Sequence, residues 1–483
     1  MALARTAARG ALTTLVGQGF KFVLQIASVA LLSHLISPTG FGLYGMVASI
    51  VSIALVIGDA GLSLAAISAG NLTREQRSNL FWINAALGTL IALVVVALAK
   101  PVSLLYSEPR LIGITEGMAI VFFVNGFVPQ FRAEATSRLN FIGLTISDVT
   151  AQAASIAAAI VVALMGGGYW ALVIQQIVLA VVGLICTAIA ARWVPRGITL
   201  GQRMGSIFAF GTNSLGSQLL NYVSVNADNV LIGRVWGAAP LGIYTRAFML
   251  FQLPLQQIAT PMTRVALPVL ASLREDGPRF DAYLQRAQLL ITYLVGGGLF
   301  VLAGVAGPLI EIFLGSRWRD AEYIFEILAI GGVFQALGYP GYWVFLARAQ
   351  TKQLFRISLV GRSAMVAMMT VGVFISPIGV AVGSMLGQVL LWAMQTFLSM
   401  PKMGVNVPRM LRDGSRPVCT GTAIFVACWL TSHLLLSGWN DWAQLGVLLG
   451  VAAVLGSVAI AIVPAIRRDL RSMLEVAKHL RSA

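Results

Sequence analysis

Three cations sit where cations are costly. Lys21, Arg246 and Arg362 each lie several residues inside a long apolar stretch of a 483-residue chain. Three carboxylates, Asp59, Asp148 and Asp228, fall within or beside such stretches as well. An ionisable side chain in hydrocarbon is expensive unless it faces a protein interior or a water-filled cavity, so its default reading is functional. Lysine and arginine in a cavity suit an anionic group, most simply a phosphate or diphosphate. Asp228, flanked by Asn226 and Asn229, puts polar groups on successive turns that suit an ion or a substrate, or that hold two helices together. Gln18 and Gln218 are 200 positions apart and occupy matching places in a repeat described below, which points to a shared inner face.

Each charge has a plainer reading. Lys21 is about ten residues into the first apolar segment, too deep for easy snorkelling. Arg246 is about six residues, or ~9 Å, from its nearer helix end and can reach an interface along its own stem. Arg362 is as close to the opposite end and can complete a basic cluster there. Asp59 lies in GDAGLS, where two glycines suggest a helix break or a simple cap. Asp148 lies at the edge of its segment and reads as solvated.

The surrounding composition fixes the class. Hydrophobic residues make up 58% and charged residues 11%, where a soluble chain would have roughly a quarter charged. Mean hydropathy is +0.85. These values describe an integral membrane protein, so the net charge of +15 is read as loop topology and not as a nucleic-acid surface. Crossing ~30 Å of hydrocarbon takes about 20 apolar residues. Windows of that kind fall near 11–36, 41–67, 79–99, 111–131, 143–165, 168–191 and 205–232. A second set falls near 240–266, 287–313, 322–347, 356–375, 377–399, 416–436 and 442–465. None alternates with period two, which predicts about 14 transmembrane helices and an all-α fold rather than a barrel.

Lysines and arginines set the orientation. With the N-terminus inside, twenty-five of the 33 fall in inside segments and five in outside ones, leaving Lys21, Arg246 and Arg362 within spans. This asymmetry predicts both ends on the cytoplasmic side of a plasma membrane. The basic N-terminus lacks a small-residue cleavage site and reads as a retained first helix. The stretch 267–286 reads as a short amphipathic helix at the lipid surface.

An internal repeat organises these helices. Gln18 matches Gln218, Ala27 matches Ala227, Leu31 matches Leu231, Gly42 matches Gly242 and Tyr44 matches Tyr244, all at an offset of 200 without a gap. A weaker echo links the regions after Arg138 and Arg348. The expected architecture is two six-helix lobes, 1–200 and 201–400, followed by two further helices and a basic tail in 401–483.

Familiar chemistry is absent. No phosphate-binding loop, dinucleotide fingerprint or HExxH pair occurs. The three histidines, His34, His433 and His479, do not support a catalytic triad, and Cys186, Cys419 and Cys428 lack metal-ligand spacing. The sequon at Asn71–Thr73 falls on the inner side, where it carries no meaning. No enzyme activity, metal or cofactor is expected.

Several stretches carry a resemblance. HLISPTGFGLYGMVASI is similar to the first two helices of polysaccharide exporters. NADNVLIGRVWGAAPLGIYTRAFMLFQLPLQQIATPMTRVALPVLASLREDG resembles the counterpart after the seventh helix in oligosaccharide flippases. TSRLNF (136–141), GGGYWALVIQQI (166–177) and ARAQTKQLF (347–355) fit the same group. Over about residues 10–400 the chain resembles Wzx-type flippases of the multidrug/oligosaccharidyl-lipid/polysaccharide superfamily, nearest the exopolysaccharide or colanic-acid subgroup.

That resemblance implies MATE-like lobes with alternating access. It implies a cargo of undecaprenyl-diphosphate-linked repeat units, flipped from the inner to the outer leaflet for exopolysaccharide or lipopolysaccharide synthesis. A polysaccharide polymerase, a chain-length protein and membrane lipids are the partners it implies. Lys21, Arg246 and Arg362 are the candidate cargo cations, chosen by depth. Asp59, Asp228, Asn226, Gln18 and Gln218 are the candidate ion-coupling or polar cavity groups. A drug/cation antiporter of the same fold, a flippase for the peptidoglycan lipid precursor and a membrane-embedded glycosyltransferase are the competing readings. The short outer connections argue against the last.

Overall fold

The computed structural model describes residues 2–58, 73–197, 222, 226–471 and 473. Asp59 and Gln218 lie outside the described residues, as do most of the windows 41–67 beyond residue 58 and 205–232 before residue 226. Among the described residues the regular structure is helical, without strands. A chain surrounded by lipid must satisfy its backbone internally, and a helix does this within one segment. Eleven described helices or helix pairs are long and apolar enough to cross a membrane.

The chain divides into two compact units, Met1–Gly242 and Ile243–Ala483. The first contains α1 (Ala2–Leu35), α2 (Pro38–Gly58), α3 (Arg74–Tyr106), α4 (Leu111–Asn125), α5 (Val128–Ser137), α6 (Phe141–Leu164) and α7 (Trp170–Ala191). A further helix, α8, covers 226–236. Within this unit α6 packs along α7, α3 along α4 and α1 along α6. Local sequence sets the ends. Thr73 and Gln76 exchange side chain–backbone hydrogen bonds of 3.0 and 3.2 Å in a capping box that starts α3. Asn140 caps α6 by accepting from the Gly143 N–H at 3.0 Å. Large apolar side chains such as Leu90, Leu93 and Val161 face outward, as they do where the solvent is lipid.

The repeat seen in the sequence is a repeated piece of structure. After α1, Ser37 precedes a helix starting at Pro38, and its hydroxyl lies 3.4 Å from the Gly40 N–H. After α8, Gly237 (φ +83°) precedes a helix starting at Ala238. Both turns and both helix starts are offset by 200 residues. Proline suits the first helical position of α2 because its missing N–H has no partner there anyway.

The helix begun at Ala238 is α9 (Ala238–Ser272), with Pro254, Pro261 and Pro268 inside it. It covers the window 240–266, and its prolines, Arg246, Arg264 and three glutamines make it too polar to count among the eleven apolar spans. The amphipathic surface helix expected over 267–286 does not form. α9 runs on to Ser272, a short turn follows, and Asp276 caps the next helix through the Arg279 N–H at 3.2 Å.

The second unit continues with α10 (Gly277–Ile291), a π-helical segment Thr292–Gly297, α11 (Gly298–Gly304) and α12 (Ala306–Phe313). Then come α13 (Ala321–Ala347), α14 (Thr351–Val373), α15 (Pro377–Ala393) and a second π-helical segment, Met394–Ser399. α16 (Val407–Leu435) and α17 (Asp441–Ile462) complete it. α14 packs along α15, α13 against α15, and α16 against α17. Close packing needs glycine where α14 meets α15, since a Cβ on Gly372 or Gly379 would overlap the other residue's backbone. The tail is tied down by Asp469, which accepts from Arg416 at 3.0 Å and from the Tyr293 hydroxyl at 3.3 Å.

Candidate functional site

A cavity of about 120 Å³ opens between α1, α5 and α6. From α1 it receives Thr14, Gly17, Gln18 and Lys21, spaced by three and four residues so that all lie on one helical face. From α6 it receives Phe141, Leu144, Thr145, Asp148 and Val149 by the same periodicity. Gly17 sets the distance between these helices, because a Cβ there would overlap the Thr145 side chain. α5 contributes Arg132.

Arg132 grips Asp148 with both ends of its guanidinium, Nη1 to Oδ1 at 2.7 Å and Nη2 to Oδ2 at 3.2 Å. The side chains are 46% and 24% exposed. At that exposure water screens the attraction, and the pair is worth on the order of 1 kcal/mol or less. An incoming anion can therefore compete for Arg132 at small cost. Lys21 is half-buried on the cavity wall and forms no ion pair among the described residues. Two cations against one carboxylate leave the cavity with a net positive charge, lined also by Gln18 and two threonine side chains as neutral hydrogen-bonding groups.

The opposite face of α5 explains why Arg132 points where it does. Phe131 and Ala135 are buried in a cluster with Phe81, Trp193 and Ala191. Phe131 meets the Phe81 ring edge-on at 5.5 Å and the Trp193 ring at 5.8 Å. Glu134, only 3% exposed, receives Arg77 at 2.9 Å and Arg138 at 2.7 Å. The Trp82 indole N–H donates to the Arg196 carbonyl at 2.7 Å, and the Arg196 N–H donates to the Ser78 hydroxyl at 3.0 Å. With α5 held through residues 131, 134 and 135, residue 132 is turned toward α6.

The candidates read from sequence divide between the units. Gln18 and Lys21 meet in the cavity. Asp148 joins them there as an ion-pair member, where the sequence reading had it solvated at a helix edge. Asp228 is buried on α8, and its Oδ1 accepts from the Asn229 N–H at 2.8 Å. The Asn226 amide donates to the Tyr222 carbonyl at 3.0 Å, a bond within the helix. Arg246 on α9 lies half-buried with Nη1 3.5 Å from the Met249 sulfur. Arg362 on α14 is half-buried in the second unit. Arg132 was the residue missed. By its place outside the apolar windows it reads as a loop cation, although it stands in a charged stretch, RAEATSR, that feeds directly into the helix carrying Asp148.

Residues 31–323 match the family described as polysaccharide biosynthesis protein. The chain is 28% identical over 337 residues to the teichuronic acid biosynthesis protein TuaB of Bacillus subtilis (strain 168), covering 69% of each. It is 21% identical over 385 residues to the lipopolysaccharide biosynthesis protein WzxC of Escherichia coli (strain K12), covering 78% of this chain and 76% of the relative. Among solved structures it superposes on the lipid II flippase MurJ in an inward closed conformation with a TM-score of 0.72. That match has 12% identity and covers 93% of this chain and 99% of the other. The likeness extends a common transporter fold over nearly the whole molecule, and the chain belongs to the polysaccharide biosynthesis protein family.

Proposed function

We propose that this protein flips undecaprenyl-diphosphate-linked oligosaccharide repeat units from the inner to the outer leaflet of a bacterial plasma membrane. The observation that carries this reading is the net-positive cavity in which Lys21 stands beside a displaceable Arg132–Asp148 pair. The diphosphate enters from the cytoplasmic leaflet, takes hydrogen bonds from Lys21 and Arg132, and releases Asp148. The lipid tail stays in the bilayer while the head group crosses by alternating access between lobes 1–200 and 201–400, with 401–483 as an added pair of helices. Arg246 and Arg362 are further cations on the path, and Asp59 and Asp228 are the groups offered for ion coupling. Both termini face the cytoplasm, and a polymerase and chain-length protein receive the cargo outside.

A drug/cation antiporter fits less well, because an organic cation gains nothing from Lys21 and Arg132 lining the same cavity. The test is a deletion strain in which lipid-linked repeat units are quantified and their leaflet is probed in spheroplasts. Trapping on the inner face, relieved by the wild-type gene and poorly by Lys21→Ala or Arg132→Ala, is the expected result. Normal delivery to the outer leaflet without the gene, in a strain lacking any redundant flippase, overturns the reading.

A further inference from the structure

The weaker echo in the sequence, between the regions after Arg138 and Arg348, is a repeated turn at an offset of 210 residues. Arg138 closes α5, its N–H donating to the Glu134 carbonyl at 3.2 Å, and Arg348 closes α13, its N–H donating to the Val344 carbonyl at 3.0 Å. Leu139 and Ala349 follow, both at φ +55°. The Asn140 N–H then donates to the Ala135 carbonyl at 2.9 Å, and the Gln350 N–H to the Phe345 carbonyl at 2.8 Å. The backbones match bond for bond, and the charges do not. Arg138 reaches back one turn to Glu134 at 2.7 Å. Before Arg348 the matching place holds Val344, which is fully buried and offers no acceptor side chain.

Arg348 is held by other means. Its guanidinium carbon stands 4.9 Å from the centre of the buried Phe280 ring of α10. Its Nη1 lies 3.8 Å from the place of a Cβ on Gly404, and its Nε is buried without a hydrogen-bond partner. Asp281 feels the charge of both Arg348 and the exposed Arg409, yet neither arginine closes to an ion pair with it among the described residues. Lys402 stands exposed two residues before Gly404. The first turn of α16 adds no free donor there. The Val407 N–H donates to the Val405 carbonyl at 2.9 Å, Pro408 has no N–H, and the Arg409 N–H donates to the Asn406 side chain at 3.1 Å. An anion at this place is met by side chains.

We propose that the second unit binds the phosphate of an anionic membrane phospholipid here, the lipid giving Arg348 the negative charge that Glu134 gives Arg138. A guanidinium stacked on a ring keeps a fixed plane, and its edge offers paired donors that match two phosphate oxygens. Apolar surface for acyl chains stands at the same end. The Gln353 amide donates to the Ser399 hydroxyl at 3.2 Å, which ties the start of α14 to the end of the second π-helical segment. Phe355, Phe397 and Leu398 on those two ends are exposed. A free phosphate has no use for them. In the orientation proposed above this end lies at the inner leaflet, where basic segments attract anionic lipids. The proposal needs a chain that spans a membrane and no particular cargo, so it stands or falls apart from the flippase reading.

The experiment uses the full-length protein in an uncharged detergent, with bound lipid counted by native mass spectrometry during titration with phosphatidylglycerol. Phosphatidylcholine and inorganic phosphate are the comparison ligands. The wild type is expected to bind phosphatidylglycerol about tenfold more tightly than phosphatidylcholine, and Arg348→Ala to weaken that binding about fivefold. Arg348→Lys should recover only part of the loss, because an ammonium lacks the paired donors. Arg409→Gln, a change at an exposed position, should weaken binding about twofold and keeps the test open if Arg348→Ala does not fold. Arg274→Gln removes an exposed charge from the turn before α10, outside the site, and should change nothing. Losses as large for Arg274→Gln as for the site variants, or equal binding of the two lipids, overturn the proposal by reducing it to diffuse charge. Displacement of phosphatidylglycerol by millimolar inorganic phosphate overturns the lipid as ligand and assigns the site to a soluble phosphate.

Discussion

The two units handle polar groups differently. In Met1–Gly242 two carboxylates are held by arginines, Asp148 by Arg132 and Glu134 by Arg77 and Arg138, while Lys21 forms no ion pair among the described residues. Its described helices contain one internal proline, Pro101, and no π-helical segment. Ile243–Ala483 also has a largely buried ion-pair cluster, Arg416 with Asp413 and Asp469, but adds unpartnered amide oxygens among its described residues. The side-chain oxygens of Gln288, Gln335 and Gln395 are buried without a hydrogen-bond partner, and Gln395 sits within a π-helical segment. Prolines interrupt α9, α13 and α16, and both π-helical segments occur here. Ion pairs fix geometry, whereas prolines and π turns loosen the i→i−4 ladder and are places where helices bend. Under the proposed function, the first unit is the part that would hold an anion in a set place, and the second the part that would bend.

The largest effect is expected where that division is attacked directly. Lys21→Glu reverses the sign of the cavity wall and should lower delivery of repeat units to the outer leaflet more than tenfold, with normal amounts of protein in the membrane. A near-normal rate would mean that the cavity is not on the path. Next is Glu134→Ala, which leaves Arg77 and Arg138 without their shared acceptor. A fully buried pair broken in this way costs ~3–5 kcal/mol. Because these arginines are 32% and 47% exposed, water takes back much of that, and about 1–2 kcal/mol should appear as a lower midpoint in detergent thermal unfolding.

Two smaller effects sharpen the contrast. Pro340→Ala restores a backbone donor in the middle of α13 and should raise the unfolding midpoint slightly while slowing transport severalfold. Faster transport from the straighter helix would remove the argument that this unit works by bending. Asp148→Asn frees Arg132 from its competitor and should tighten binding of inorganic diphosphate to purified protein by a factor of two to five in calorimetry. Unchanged binding would show that Arg132 does not face the ligand.

Much of this architecture was legible from composition alone, because a helix across a bilayer must be long, apolar and uninterrupted. What blurred was the boundary between span and loop. A sliding apolar window stops near residue 131, so Arg132 counts as a topological cation, while the backbone stays helical through α5 to Ser137. Its partner Asp148 was then placed in water for want of a cation to meet. The match is set by the turn between α5 and α6, with Leu139 at φ +55°, and no periodicity within either helix reports it. Lys21 is legible by its depth in the first apolar segment and Gln18 by its match to Gln218 in the repeat. Arg246 and Arg362 were chosen by depth alone, and depth does not say which way a side chain points.

The three prolines of α9 carry one more consequence. They recur every seven residues, at 254, 261 and 268, which is close to two helical turns, so they follow one side of the helix with only ~20° of drift per step. Each leaves a carbonyl four residues earlier, on Leu250, Gln257 and Arg264, without its usual donor. A rod weakened along a single line does not flex equally in all directions. A helix so built is expected to act like a leaf spring, bending more easily about one axis than about the other.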